Sequence, residues 1–240
     1  MFPKLLDLRD LEQETLDLII TAGEFASIHE IRDAASSAIK GISQRGNIDF
    51  HLGFTLDIRL RSDRRAKEKR RRIDVGALVQ QENGKIRNAS YSLIICRNPT
   101  VLNSPIVRKV HFDYEPVAYR NHSEPKPSSH LQICGKFSSH HRLVGYDDSR
   151  LGALYPDWEK PRIPFPPVSL AILLNWLLTE FQSDASAQAI LKSPVWRKHV
   201  SKAERLMLLP YYTGAVDFFG RAVNKEKRLL QGFYYELDAG

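Results

Sequence analysis

Cysteine is scarce in this 240-residue chain: Cys96 and Cys134 are the only two, and they form no C-x-x-C pair. That excludes a disulfide framework and a zinc ribbon. It fits two buried thiols in a reducing compartment. Long hydrophobic runs are missing as well. The most apolar stretch, Val168 to Phe181, contains Asn175 and Glu180 and is shorter than the ~20 residues of a membrane span. It predicts a buried core helix. The opening MFPKLLDLRDLEQETLDLII is broken early by acids, unlike a signal peptide. The expectation is a soluble, cytoplasmic protein that makes no use of a membrane. Glycine and proline number 13 each, too few for a collagen-like or wholly disordered chain. No glycine-rich dinucleotide fingerprint, P-loop, G-x-S-x-G elbow or H-E-x-x-H helix is found.

Charge is present, and it is concentrated. The run Arg59 to Arg72 (RLRSDRRAKEKRRR) holds nine basic residues, Arg59, Arg61, Arg64, Arg65, Lys67, Lys69, Arg70, Arg71 and Arg72, against the acids Asp63 and Glu68. The formal net charge of the whole chain is +7, so this run supplies all of it; the remainder carries 26 basic and 26 acidic residues. A dense row of like charges repels itself, and a phosphate backbone relieves that repulsion. The bland alternative is a solvated loop or a localisation signal. No aromatic residue interleaves the run, so it offers no base-stacking platform.

The pattern along the chain predicts an α+β fold. Residues 1–46 read as two amphipathic helices, the second opening near Ser27 and ending at Gly46, with eight acids against five bases. From Ile48 to Leu60, apolar residues alternate with Asp49, His51, Gly53, Thr55, Asp57 and Arg59, the period of a half-buried antiparallel strand. Four more strands are expected: near 73–79, 85–97, 106–114 and 130–134. Asn83-Gly84 marks a tight hairpin. The basic run then projects as an arm from a sheet of about five strands spanning 47–154. Residues 155–167 carry five prolines and read as a stiff connector. Residues 168–240 read as helices, at about 167–182, 194–209 and 211–231, packed on the apolar face of the sheet in one compact domain. In the last, Tyr211, Ala215, Phe218, Phe219 and Ala222 form an apolar stripe.

Strand parity places Lys109, His111 and Asp113 opposite the core-facing Val110, Phe112 and Tyr114, and His130 and Gln132 opposite Leu131 and Ile133. Asp57 and Asp74 fall on the same polar side. If the fourth and fifth strands pair, His111, Asp113 and His130 come together. Imidazole with carboxylate is a ligand set for Mn, Fe or Zn, and also a general acid–base set for a phosphodiester. Such a site would use Mg or Mn as cofactor in a nuclease. A polar sheet face needs polar residues whatever its role, so an inert face is the alternative. His29, His51 and His199 read as isolated surface histidines, and His122, His140 and His141 as loop residues. The acid-x-Lys of a restriction-type nuclease occurs only at Glu124-Pro125-Lys126, in a proline loop.

The segment HFDYEPVAYRNHSEPKPSSHLQICGK, with KPRIPFPPVSLAILLNWLLTEF after it, resembles a bacterial family known only as a domain of unknown function. There a His-Phe-Asp motif precedes Ser-His-Leu, a proline-framed arginine and an apolar helix. The resemblance covers about residues 106–181 and puts His111, Asp113, His130 and Arg162 on motif positions. It implies a prokaryotic origin; such families often look like parts of defence or mobile-element loci, which is association rather than chemistry. Three functions follow as expectations: a nucleic-acid-binding subunit of a bacterial defence or mobile-element complex, a metal-dependent nuclease or phosphoesterase, or a protein-interaction (antitoxin-like or scaffold) subunit.

Overall fold

A computed structural model describes residues 4–42, 46–58, 69–96, 106–115, 128–133, 162–181 and 184–224. Among them the chain forms α1 (Leu5–Thr21), a 3-10 turn (Gly23–Ser27), α2 (Ile31–Ala38), a second 3-10 turn (Ile39–Gly41), strands β1 (Ile48–Ile58), β2 (Lys69–Glu82), β3 (Lys85–Cys96), β4 (Ile106–Tyr114), β5 (Ser129–Ile133) and β6 (Ile163–Pro164), and helices α3 (Leu170–Glu180), α4 (Ala185–Lys192) and α5 (Pro194–Asn224). The strands form one antiparallel sheet in the order β1-β2-β3-β4-β5-β6, so every strand pairs with its neighbour in sequence. No helix among the described residues is long and apolar enough to cross a membrane.

The α+β expectation holds, with local differences. The sheet has six described strands rather than five, because the proline-rich connector pairs back onto β5 through Ile163 and Pro164; a proline can close an edge strand because that edge needs no donor. The basic run is not loop to its end: β2 begins at Lys69, opposite Ile58. Helix α2 stops at Ala38, well before Gly46. The last two expected helices are one, with Pro210 inside it. Residues 185–192 add a helix that the periodicity did not mark. It starts where Asp184 caps it, Oδ1 accepting from Ala187 N at 3.0 Å. At the β2–β3 hairpin Asn83 (φ 52°) and Gly84 (φ 75°) both adopt left-handed conformations, the backbone that a two-residue turn of this hand demands.

The core lies on one side of the sheet. Phe50, Leu52, Phe54, Val75, Tyr91, Leu93 and Phe112 point into it and meet Leu8, Leu11, Leu16, Ile19, Leu173, Leu177 and Trp196 from the helices. Phe112 packs on Phe165 and on Trp176 of α3, with ring centroids 5.2 and 6.1 Å apart. Trp196 stacks edge-on to Phe25 at 5.3 Å, and its indole N–H donates to Asn175 Oδ1 at 3.1 Å, tying α5 to α3. One carboxylate is enclosed in this core. Glu12 on α1 accepts from the Tyr91 hydroxyl at 2.5 Å, and its two oxygens accept from Leu170 N, the first residue of α3, at 3.1 and 3.2 Å. Burial pushes its carboxyl up to about 7, against the opposing pull of those two donors.

The free edge of β1 is largely closed. Thr55 N donates to His29 O at 3.4 Å and Asp57 N to Asp184 Oδ2 at 3.1 Å. Gly41 lies against Asp49 O so tightly that a Cβ there would come within 1.7 Å of it. Shielding of this kind keeps an edge from recruiting another strand.

Candidate functional site

The register fixes which polar residues share the second face. One lateral row runs His51–Gly76–Ser92–His111–Gln132; the row on one side runs Asp49–Leu78–Ser90–Asp113–His130, and the row on the other Gly53–Asp74–Ile94–Lys109. The expected pairing of the fourth and fifth strands is present, and it sets Asp113 directly opposite His130 and His111 opposite Gln132. This face is not the open surface that alternation suggested. His111 and His130 are each 3% exposed, and Asp74, Lys109, Ser92 and Gln132 are buried as well. Buried polar groups require partners, and two clusters provide them.

The first cluster spans β3 to β5. Asp113 Oδ1 accepts from Ser90 Oγ at 2.6 Å. Its Oδ2 lies 3.7 Å from His111 Nε2 and 3.6 Å from His130 Nε2. His111 Nε2 and Gln132 Oε1 are 2.8 Å apart; the amide oxygen only accepts, so this nitrogen carries the proton. Asp113 keeps 23% of its side chain open to solvent. The trio expected from sequence is therefore assembled, as two imidazoles flanking one partly open carboxylate. Yet among the described residues no three of His, Cys, Asp and Glu are arranged to hold a metal ion. The arrangement suits proton transfer, since imidazole and carboxylate are both groups that take up and release protons. Arg162 directly precedes β6, whose Pro164 pairs with His130, so the four residues singled out by the resemblance lie on or beside three neighbouring strands.

The second cluster lies on β1 and β2 and was largely missed by the sequence. His51, expected to be an isolated surface residue, has Nε2 2.9 Å from Asp74 Oδ1. Arg72 Nε donates to both oxygens of Asp74 at 3.1 Å, and its Nη2 lies 3.1 Å from Oδ1. His199 is likewise no free surface histidine: Nε2 is 2.8 Å from Thr15 Oγ1, and burial lowers its pKa. His29 is exposed.

The basic run divides by strand parity. Arg59, Arg61, Arg64, Arg65 and Lys67 lie outside the described residues, as do Cys134, His122, His140, His141 and the Glu124–Lys126 motif. Lys69 is in β2, paired with Ile58. Arg70 is exposed, and its Nε donates to Thr55 Oγ1 at 3.1 Å. Arg71, counted among the phosphate contacts, is only 2% exposed and shares the core-facing parity of Ile73 and Val75. It belongs to the interior, because adjacent strand residues point to opposite faces. Arg72 is held by Asp74 and is 21% exposed.

Comparison with protein-family models, with curated proteins and with solved structures found no match for this chain.

Proposed function

We propose that the chain binds nucleic acid through the 59–72 run, gripping phosphates without reading sequence. One observation carries this: the run holds the entire excess of positive charge on an otherwise balanced protein. Localised charge of that kind is the footprint of polyanion binding. The exposure of Arg70 at the root of the run supports it; Arg71, being buried, is withdrawn from the set of contacts. The setting would be a multi-subunit bacterial defence or mobile-element complex, as the resemblance over 106–181 implies. The test is a gel shift with labelled single- and double-stranded DNA and RNA, run with Mg²⁺, with Mn²⁺ and with chelator. Changing Arg64, Arg65 and Arg70 to Gln should weaken binding and lower its log–log salt slope by roughly 2 to 3 units. Unchanged affinity in that variant would refute the proposal.

A second reading, phosphodiester cleavage, is favoured by the convergence of His111 and His130 on Asp113 Oδ2. It calls for fragments in the same gel; a His111→Ala, His130→Ala double variant that still cleaves would remove this site from consideration. A third, docking of a protein partner, is favoured by Leu209, Tyr212 and Val216, which are exposed at i, i+3 and i+7 on α5. A strictly monomeric protein with no co-purifying chain would count against it.

A further inference from the structure

Arg70 and Arg72 are two residues apart on the polar side of β2, so their side chains leave the strand in the same direction, spaced about 7 Å along it. Successive phosphates of an extended nucleic-acid strand have comparable spacing. Neither guanidinium depends on chance for its direction. Arg70 is anchored through Nε to Thr55 Oγ1, and Arg72 is gripped by both oxygens of Asp74. A two-oxygen grip orients a guanidinium in plane as well as in direction.

The edge strand is shaped to receive Arg72. Gly53 stands opposite Asp74 in the register. A Cβ on Gly53 would lie 2.4 Å from Arg72 Nη2 and 3.0 Å from Asp74 Oδ1. The missing side chain thus lets the guanidinium lie over Gly53 on β1, the outer strand of the sheet. His51, 27% exposed, shares Asp74 from two positions before Gly53 on β1. Further along β1 stands an acid: Asp57 is exposed and sits opposite Arg70.

We infer that Arg70 and Arg72 form a track for the phosphodiester backbone along the β1–β2 edge, with Thr55, Asp74 and Gly53 as its positioning residues. This rests on the nucleic-acid-binding proposal and says where the bound strand lies. Arg70 and Arg72 take adjacent phosphates; Asp74 sets the angle of one of them; Asp57 opposes binding by simple repulsion. Asp57 and Asp74 therefore have opposite roles although they bear the same charge.

That opposition supplies the test. Fluorescence anisotropy of labelled 20-mers, single-stranded and duplex, would be followed from 50 to 200 mM salt with chelator present. Asp57→Asn and Asp74→Asn each remove one negative charge. If charge were all that mattered, both would tighten binding. The track predicts that Asp57→Asn tightens it a few-fold and that Asp74→Asn loosens it. Gly53→Ala leaves the charge unchanged and displaces the Arg72 guanidinium first, at 2.4 Å, with Asp74 Oδ1 next at 3.0 Å, so it guards against Asp74→Asn failing to fold. It should weaken binding and reduce the salt slope by roughly 0.7 on the single strand or 0.9 on the duplex, the loss of one phosphate contact. A reduced slope on either nucleic acid supports the track and identifies its source. Tighter binding by Asp74→Asn, or a Gly53→Ala protein whose affinity and slope match the parent, overturns it while leaving nucleic-acid binding intact. A parent protein that binds neither nucleic acid at 50 mM salt overturns both proposals together.

Discussion

Replacing Glu12 by glutamine should flatten the pH dependence of stability between about pH 4.5 and 7. Glu12 is fully buried between Tyr91 and the start of α3, and its carboxyl is raised from 4.5 to about 7. The sign follows from linkage. The folded form holds this proton more tightly than the unfolded chain. The stability it contributes is complete below about pH 4.5 and is lost as pH rises through about 7. A rise of that size corresponds to about 3 kcal/mol between the two limits. Glutamine is neutral throughout. Its Oε1 can still accept from both the Tyr91 hydroxyl and Leu170 N, which already share Oε1. Its amide nitrogen would face Leu170 N where Oε2 now accepts, a mismatch costing about 1 kcal/mol at every pH. The stability difference between Glu12→Gln and the parent should therefore change by about 3 kcal/mol in favour of the variant from pH 4.5 to 8, whatever the constant offset. Tyr91 does not interfere, because burial and then the charge of Glu12 hold its phenol well above 10. The assay is urea denaturation at half-unit pH steps. Parallel curves for parent and variant would mean that the carboxyl titrates alike in folded and unfolded chains, and that burial does not raise it.

Other expectations are more local. Trp196→Ala removes a 1%-exposed indole and should destabilise by about 3–5 kcal/mol in chemical denaturation. Asp184→Ala strips acceptors from both Ala187 N and Asp57 N; a loss of about 1–2 kcal/mol is expected by the same measurement. His199, whose pKa burial lowers against the opposing effect of Glu14, should show an NMR titration midpoint below the 6.5 of an ordinary histidine. A midpoint above it would place the ring under the control of Glu14 instead.

What was legible in the sequence is what repeats with a fixed period. The alternation from Ile48 to Ile58 fixed the faces of β1, and the same parity in β4 and β5 brought His111, Asp113 and His130 together. What escaped were consequences of pairing between distant segments. His51 appeared isolated because Asp74 lies 23 residues away in sequence and reaches it only through the β1–β2 register. Arg71 was grouped with its neighbours by charge, although the strand entered at Lys69 turns every second residue inward. Pro210 stands between the expected helices 194–209 and 211–231, but α5 runs through it. Burial of the polar face was invisible for a related reason, since alternation marks two faces as different and says nothing of what covers each.

The strand order has a kinetic meaning. Because each strand pairs with its neighbour in sequence, the sheet can assemble hairpin by hairpin, starting from the tight Asn83–Gly84 turn, and each step closes one more connection. The enclosing helices are a different matter. Glu12 must find Leu170, which is 158 positions away, and that contact has no local substitute. The fold should therefore separate into an early meander and a late docking of α1 with α3, so that substitutions at Glu12 speed unfolding while those beside Asn83–Gly84 slow folding.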